Sequence, residues 1–423
     1  MLSRSFVEPY AAVLRPPHAA RTFGLALVGR SSYGVVFLSL VLAVTRVTGS
    51  YATAGIVLAL FGLASSLPSG FRARLIDRYG AHAVLPPMAV LYALLLAGLA
   101  AVTWPSGAPR VLLFILAAAC GACAPPLGPV MRTLWAVMIP DQDLLRRAYS
   151  LDTVAEELLF ATGPLVAGLF AAYANPALGV AVSAGLVLAG SLALASGPVV
   201  SSPVVRDRVH RKKEPAGGAP SRSSWFRDGS GLRHPVLVSA GMGMCLGAMG
   251  ILVVTFTGSH HHLAAAGQVD AAMAVSSAAG GLAYGAFRWR LSGRARLVAF
   301  AAGLGLCVAL AGQSPGIGVL AAVAALTGLF VSPTLITAYL IANEAAAPGT
   351  RTQVSTWVNT AFNLGNSAGT AGIGLLVTRL PLPACFAVAA GALLLPALTV
   401  AAGRRKRPVL AASAERDAER DLR

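Results

Sequence analysis

The chain has 423 residues, 56% of them hydrophobic and only 12% charged, with a mean hydropathy of +0.71 and a net charge of +17. Soluble domains carry about a quarter charged residues, so this composition excludes an ordinary cytosolic protein and predicts an all-α polytopic membrane protein. In a soluble chain the excess of positive charge would point to nucleic acid; here the basic residues fall between apolar runs, and no nucleic-acid partner is expected.

Residues 1–21 hold Glu8, Pro9, Pro16 and Pro17 and no short apolar stretch before a cleavage site, so no signal peptide is expected. A bilayer core takes about 20 apolar helical residues. On that measure twelve transmembrane spans follow, at 22–45, 52–71, 83–104, 110–138, 150–173, 176–196, 235–257, 265–287, 295–312, 316–344, 352–378 and 382–402. The first carries Arg30, with Tyr33 and Phe37 continuing its face. The loop after the second reads Ala73-Arg74-Leu75-Ile76-Asp77-Arg78-Tyr79-Gly80, an Asp-Arg turn closed by glycine. Arg132 and Trp135 stand one turn apart near the end of the fourth span.

In the fifth span Asp152, Glu156 and Glu157 follow Arg147, at a depth comparable to Arg30 and Arg132. Ionisable groups at that depth face the protein interior or a wet cavity. These residues form either one charge cluster for proton coupling or an ion-pair network that braces the helices. Glu156 is favoured as the group that titrates, because it lies seven residues before Gly163, on the face that approaches the other half of the molecule. Gly163, Pro164 and Gly168 predict close helix approach and a proline kink.

Residues 197–234, rich in Ser, Pro, Gly and basic side chains, predict a linker. The seventh span offers Met242, Met244 and Met249 as pliable apolar surface. His260, His261 and His262 fall in the loop after it, a solvated tract. The eleventh span has the clearest periodicity: Thr352, Thr356, Asn359, Asn363, Asn366 and Thr370 share one helical face, which lines water or a partner helix, and Trp357 lies near its start. Tyr33, Phe37, Trp135, Trp357, Thr356, Asn359, Asn363 and Asn366 are therefore the candidate substrate pathway.

The five cysteines, the pair Cys120 and Cys123 included, lie inside apolar runs and predict helix packing. No Ser-His-Asp, phosphate-loop or metal-ligand spacing is present, so neither a cofactor nor a metal is expected. Of the 33 basic residues, 29 fall on one side of the alternating loops and three on the other. By the positive-inside bias both termini are cytoplasmic, in the cytoplasmic (inner) membrane, and Arg404-Arg405-Lys406-Arg407 stands where it can attract anionic lipid.

An internal repeat divides the chain. Gly121 and Pro126 recur as Gly328 and Pro333 at an offset of 207, and Gly163, Gly168 and Leu169 recur as Gly369, Gly374 and Leu375 at 206. The expected organisation is a six-helix half at 1–196, a basic cytoplasmic linker at 197–234, a second six-helix half at 235–402 and a basic cytoplasmic tail at 403–423. At the same offset Asp152 and Glu156 correspond to Asn359 and Asn363, so acids in one half face amides in the other.

Twelve spans, two halves and the 73–80 string resemble the major facilitator superfamily over about residues 20–402. Leu75, Asp77, Arg78 and Gly80 match that family's loop motif, while Ala73 replaces its first glycine and Ala81 and His82 replace its basic tail. The resemblance implies that Asp77, with Arg78 and Gly80, helps lock the cytoplasmic side. Gly163-Pro164-Leu165-Val166-Ala167-Gly168 resembles the core of a motif found in the family's exporters, and the string from Arg146 to Gly168 resembles a bacterial subgroup of efflux permeases. The implied protein is a monomeric, proton-coupled exporter of hydrophobic small molecules working by alternating access. Uptake of a polar nutrient and a membrane-embedded lipid-modifying enzyme are the rival readings.

Overall fold

The computed structural model describes residues 10–105, 109–201, 231–262, 265–287, 289–347 and 349–402. Most of the linker and the whole C-terminal tail named above lie outside these residues. The described residues form fourteen principal helices: α1 Ala19–Thr48, α2 Tyr51–Ser66, α3 Ser69–Tyr79, α4 Ala81–Thr103, α5 Arg110–Cys123, α6 Leu127–Met138 and α7 Gln142–Tyr173, then α8 Pro176–Ala195, α9 Arg233–Ser259, α10 Ala265–Ala286, α11 Gly293–Ala311, α12 Ile317–Glu344, α13 Arg351–Leu376 and α14 Leu382–Ala402.

Fourteen helices make twelve spans because two spans are broken. Between α2 and α3 the axis bends by 41° at Leu67-Pro68. Between α5 and α6 the consecutive prolines Pro125 and Pro126 delete two amide donors, and the chain leaves the helix. The repeat partner Pro333 stands alone, and α12 runs through it unbroken. Nine spans are long and apolar enough to cross a membrane and the bent α2–α3 pair makes a tenth. α10 and α13 are 22 and 26 residues long but too polar for that test; polar groups are tolerated at that depth where they face protein or a wet cavity.

Short polar caps start several helices. Asp141 accepts from the Leu144 amide at the head of α7, Ser50 from Thr53 before α2, and Asn175 from Ala177 before Pro176 opens α8. The cap at Asp141 sets the fifth span longer than expected, so Arg146 and Arg147 are helical. The 73–80 string is likewise helix almost to its end: the loop shrinks to Gly80, whose φ of +87° turns the chain directly into α4.

Within each half the packing repeats. α1 packs on α7 and α8, α2 on α5, and α4 on α8; α9 packs on α13 and α14, α10 on α12, and α11 on α14. The repeated glycines sit at equivalent crossings. A Cβ on Gly121 would lie 2.2 Å from the Phe61 carbonyl oxygen of α2, and one on Gly328 would lie 2.2 Å from the Met273 carbonyl oxygen of α10. Gly163 meets Gly34 of α1 as Gly369 meets Met244 of α9. Gly168 has nothing within 4 Å, so the predicted close approach rests on Gly163 alone, and Pro164 lies within a continuous helix.

The halves meet through α7 with α10 and α12, and through α13 with α3 and α6. Call the face where α1 begins and α14 ends the terminal face. Among the described residues every hydrogen bond between the halves lies from that face to the level of Glu157 and Thr360, the deepest being Ser277 and Ser332 to Glu157 and Ser69 with Thr360. The molecule is sealed on its terminal side.

Candidate functional site

Two sets of groups join the halves, a buried charge ring and a seal at the terminal face. The ring starts from spacing. Asp152 and Glu156 are four apart on α7 and so share a face; α1 brings Arg30 to that face, and the restart of the helix after Pro126 brings Arg132. Arg30 lies 2.6 Å from Asp152 and 2.9 Å from Glu156; Arg132 lies 3.4 Å from Asp152 and 2.5 Å from Glu156. Each charge touches two of opposite sign and the ring is neutral. Arg30, Arg132 and Asp152 are fully buried, while the Glu156 side chain keeps 24% of its exposure.

The ring reaches into the other half through one side chain. The Tyr339 ring of α12 lies 3.8 Å from the Arg132 guanidinium carbon, a cation–π contact, and its hydroxyl donates to Asn359 Oδ1 at 3.2 Å. Tyr339 follows Arg132 by 207 residues, the repeat offset, so the two are symmetry mates that meet at the interface. Glu157, next along α7, points away from the ring. Its Oε1 accepts from Ser277 of α10 at 2.7 Å and Ser332 of α12 at 2.5 Å. The sequence grouping of Asp152, Glu156, Arg30 and Arg132 is therefore one contact set, and Glu157 is not in it.

At the terminal face Asp77 closes α13. Thr350, the residue before that helix, offers no side-chain cap. Instead Asp77 accepts from the amides of Thr352 at 3.3 Å and Gln353 at 3.1 Å, and from Gln353 Nε2 at 3.3 Å. An anion from one half thus occupies the positive end of a helix in the other. The contact is reciprocal: Arg351 donates to the Ala136 carbonyl near the end of α6 at 3.2 Å, and Arg74 donates to Gln353 Oε1 at 3.2 Å. Arg78 instead covers the Tyr79 ring at 5.3 Å. A cleft of about 520 Å³ opens beside this seal, lined by Asp77, Thr133, Leu134, Arg351 and Thr352.

The candidate pathway residues separate. Trp135 is fully buried and packs on Phe23, ring centroids 5.4 Å apart, inside the first half; Met242 and Met249 are buried as well. Tyr33 donates to the Pro125 carbonyl at the break in the fourth span. Phe37 is 41% exposed and edge-on to Phe61. Trp357 is half-buried against Gly70. The polar face of α13 divides by depth: Thr352 and Thr356 are buried in the seal, Asn359 holds Tyr339, Asn363 is exposed, and Asn366 and Thr370 lie along α9, where Thr370 bonds the Gly247 carbonyl. A seventh span dense in glycine lets α9 come that close.

Arg72 was hidden among the loop charges. It is buried, and its guanidinium donates to the carbonyls of Ser65, Gly121 and Ala122, at the helix ends that precede the two breaks. Its place four residues after Pro68 is the signal the sequence offers.

The sequence model of the Major Facilitator Superfamily matches residues 22–312. A comparison with curated proteins finds no match. Among solved structures the chain is similar to the human organic anion transporter MFSD10 (TETRAN), with a TM-score of 0.67 at 14% identity, covering 91% of this chain and 100% of that one. It is similar to a bacterial homologue of the iron transporter ferroportin in its outward-facing state, with a TM-score of 0.67 at 13% identity over 90% and 98% of the two chains. The fucose:proton symporter of E. coli follows, with a TM-score of 0.60 at 14% identity over 89% and 98%.

Proposed function

The chain belongs to the major facilitator superfamily and is a membrane transporter, not an enzyme, and from that premise we propose that it is a proton-coupled exporter of hydrophobic small molecules. The neighbours' names span an organic anion, iron and a sugar, so the fold alone selects no cargo. One observation carries the cargo reading: the buried ring is self-neutralised, two arginines against two carboxylates, and leaves no spare charge to hold an ionic cargo. Phe37, seven residues along α1 from Arg30, adds exposed aromatic surface. The exposed Asn363 favours the second reading, uptake of a polar nutrient. Loading inside-out vesicles with a panel of lipophilic cations, neutral dyes and sugars separates the two by which class moves.

Export by alternating access needs a seal that forms and breaks. The Asp77 and Arg351 contacts supply one whose halves are joined by a few hydrogen bonds and one charge–dipole contact, a seal weak enough to open. With both termini cytoplasmic, that seal is the cytoplasmic gate and the conformation described is outward-facing. Reporter fusions test the orientation: fusions after residue 215 and after residue 423 are expected to report cytoplasm. A periplasmic signal from either overturns the orientation and with it the direction of the gate.

A further inference from the structure

We propose that Glu157 is a proton-binding site whose occupancy decides whether the two halves close at the terminal face. This rests on the proton-coupled reading above and goes beyond it by naming the group and what it controls.

The geometry separates two adjacent carboxylates. Glu156 is held by Arg30 and Arg132 and is compensated as an anion. Glu157 touches only hydroxyls: Ser277 and Ser332 both donate to its Oε1, and these two serines lie 3.0 Å from each other. Its other oxygen, Oε2, is buried with no hydrogen-bond partner among the described residues. Both donors come from the opposite half, so Glu157 makes these contacts only while α10 and α12 lie against α7.

No charge of opposite sign faces it from any packed helix. On its own helix the neighbour is Glu156, a like charge. On α10 the ionisable groups are Asp270 and Tyr284, each seven residues from Ser277; on α12 they are Tyr339 and Glu344, seven and twelve residues from Ser332. Seven residues are about 10 Å along a helix. Arg30 and Tyr33 of α1 and Arg132 of α6 are engaged with Asp152, Glu156 and the Pro125 carbonyl. The helices pack closely at this junction: a Cβ on Gly281 would lie 3.0 Å from both Ser332 Cβ and Val154 Cγ2.

An ionised carboxylate held there, half-buried and with its Oε2 cut off from any donor, is a charge with no counter-ion, whereas the protonated form places only a neutral acid at the junction. Closure therefore takes up a proton and ionisation pushes the halves apart, letting water reach the carboxylate. The same contact that closes the transporter senses its proton.

The test uses the full-length protein with its five cysteines replaced by alanine and spin labels at positions 78 and 344, exposed sites on opposite halves of the terminal face. Without substrate, the ratio of open to closed distances is expected to rise with pH by up to about tenfold per unit, as one linked proton requires. Glu157→Gln should stay closed at every pH. Ser277→Ala with Ser332→Ala, which removes two donors that Glu157 meets only in the closed state, should favour the open state and move the midpoint to lower pH by about one unit. A Glu157→Gln protein that keeps the wild-type pH dependence, or a double serine variant with an unmoved midpoint, overturns the proposal. If the distances behave as stated while vesicle transport ignores a proton gradient, the proton-coupled function fails and Glu157 stands as a pH-sensitive gate.

Discussion

Arg132→Ala is expected to lower the stability of the protein by about 3–5 kcal/mol, the cost of removing one partner from a buried ion pair. Arg132 touches Asp152 and Glu156 and lies over Tyr339, so the substitution removes the cation on which three contacts converge. Asp152 is fully buried and would retain only Arg30. The effect should appear as a large drop in the apparent melting temperature of detergent-purified protein. Pairing Arg132→Met with Glu156→Met restores neutrality around the remaining Arg30–Asp152 pair and should recover most of the loss, because the penalty arises from imbalance more than from lost attraction. A single alanine variant that melts like the wild type would show that the ring is hydrated and does not brace the first half.

Asp77→Asn is expected to slow transport about tenfold at equal expression. A hydrogen bond to a charged group contributes about 1.5–3 kcal/mol, and asparagine keeps the size of the side chain while losing the charge that faces the first amides of α13. The closed terminal face then loses population to the open one, and the cycle stalls on the step that must restore the seal. Insertion and folding should be unaffected, because Asp77 bonds only across the halves. Efflux assays on the two proteins measure this; identical rates would reduce Asp77 to a residue that happens to lie beside α13.

The spans and the halves were legible because hydropathy and the glycine repeat follow from lipid and from close helix crossings, both local in sequence. The depth argument sets Arg30, Arg132 and the acids of α7 at one height, since helical rise converts position into height, and of these Arg30, Arg132, Asp152 and Glu156 are in contact. What it could not supply was direction around the axis. Glu156 and Glu157 are one residue apart, and only the packing of α7 shows that one turns to arginine and the other to serine. Trp135 reads as a pathway residue because hydropathy does not distinguish a helix face turned to lipid, to core or to a cavity. Arg72 does not stand out because the sequence places it in a loop after the second span, where α3 in fact continues. Ser277 and Ser332 carry no signal in a chain full of small residues. Tyr339, in contrast, was available from the 207 offset applied to Arg132.

The central claim is that an inward proton gradient drives outward movement of an uncharged or lipophilic cargo. Inside-out membrane vesicles containing the protein, acidified in the lumen and offered a lipophilic fluorescent dye, test it in one measurement. The account predicts accumulation of dye in the lumen that collapses when the pH gradient is dissipated and is lost in Glu157→Gln. Accumulation that persists without the gradient, or net movement of dye out of the acid lumen, would contradict it.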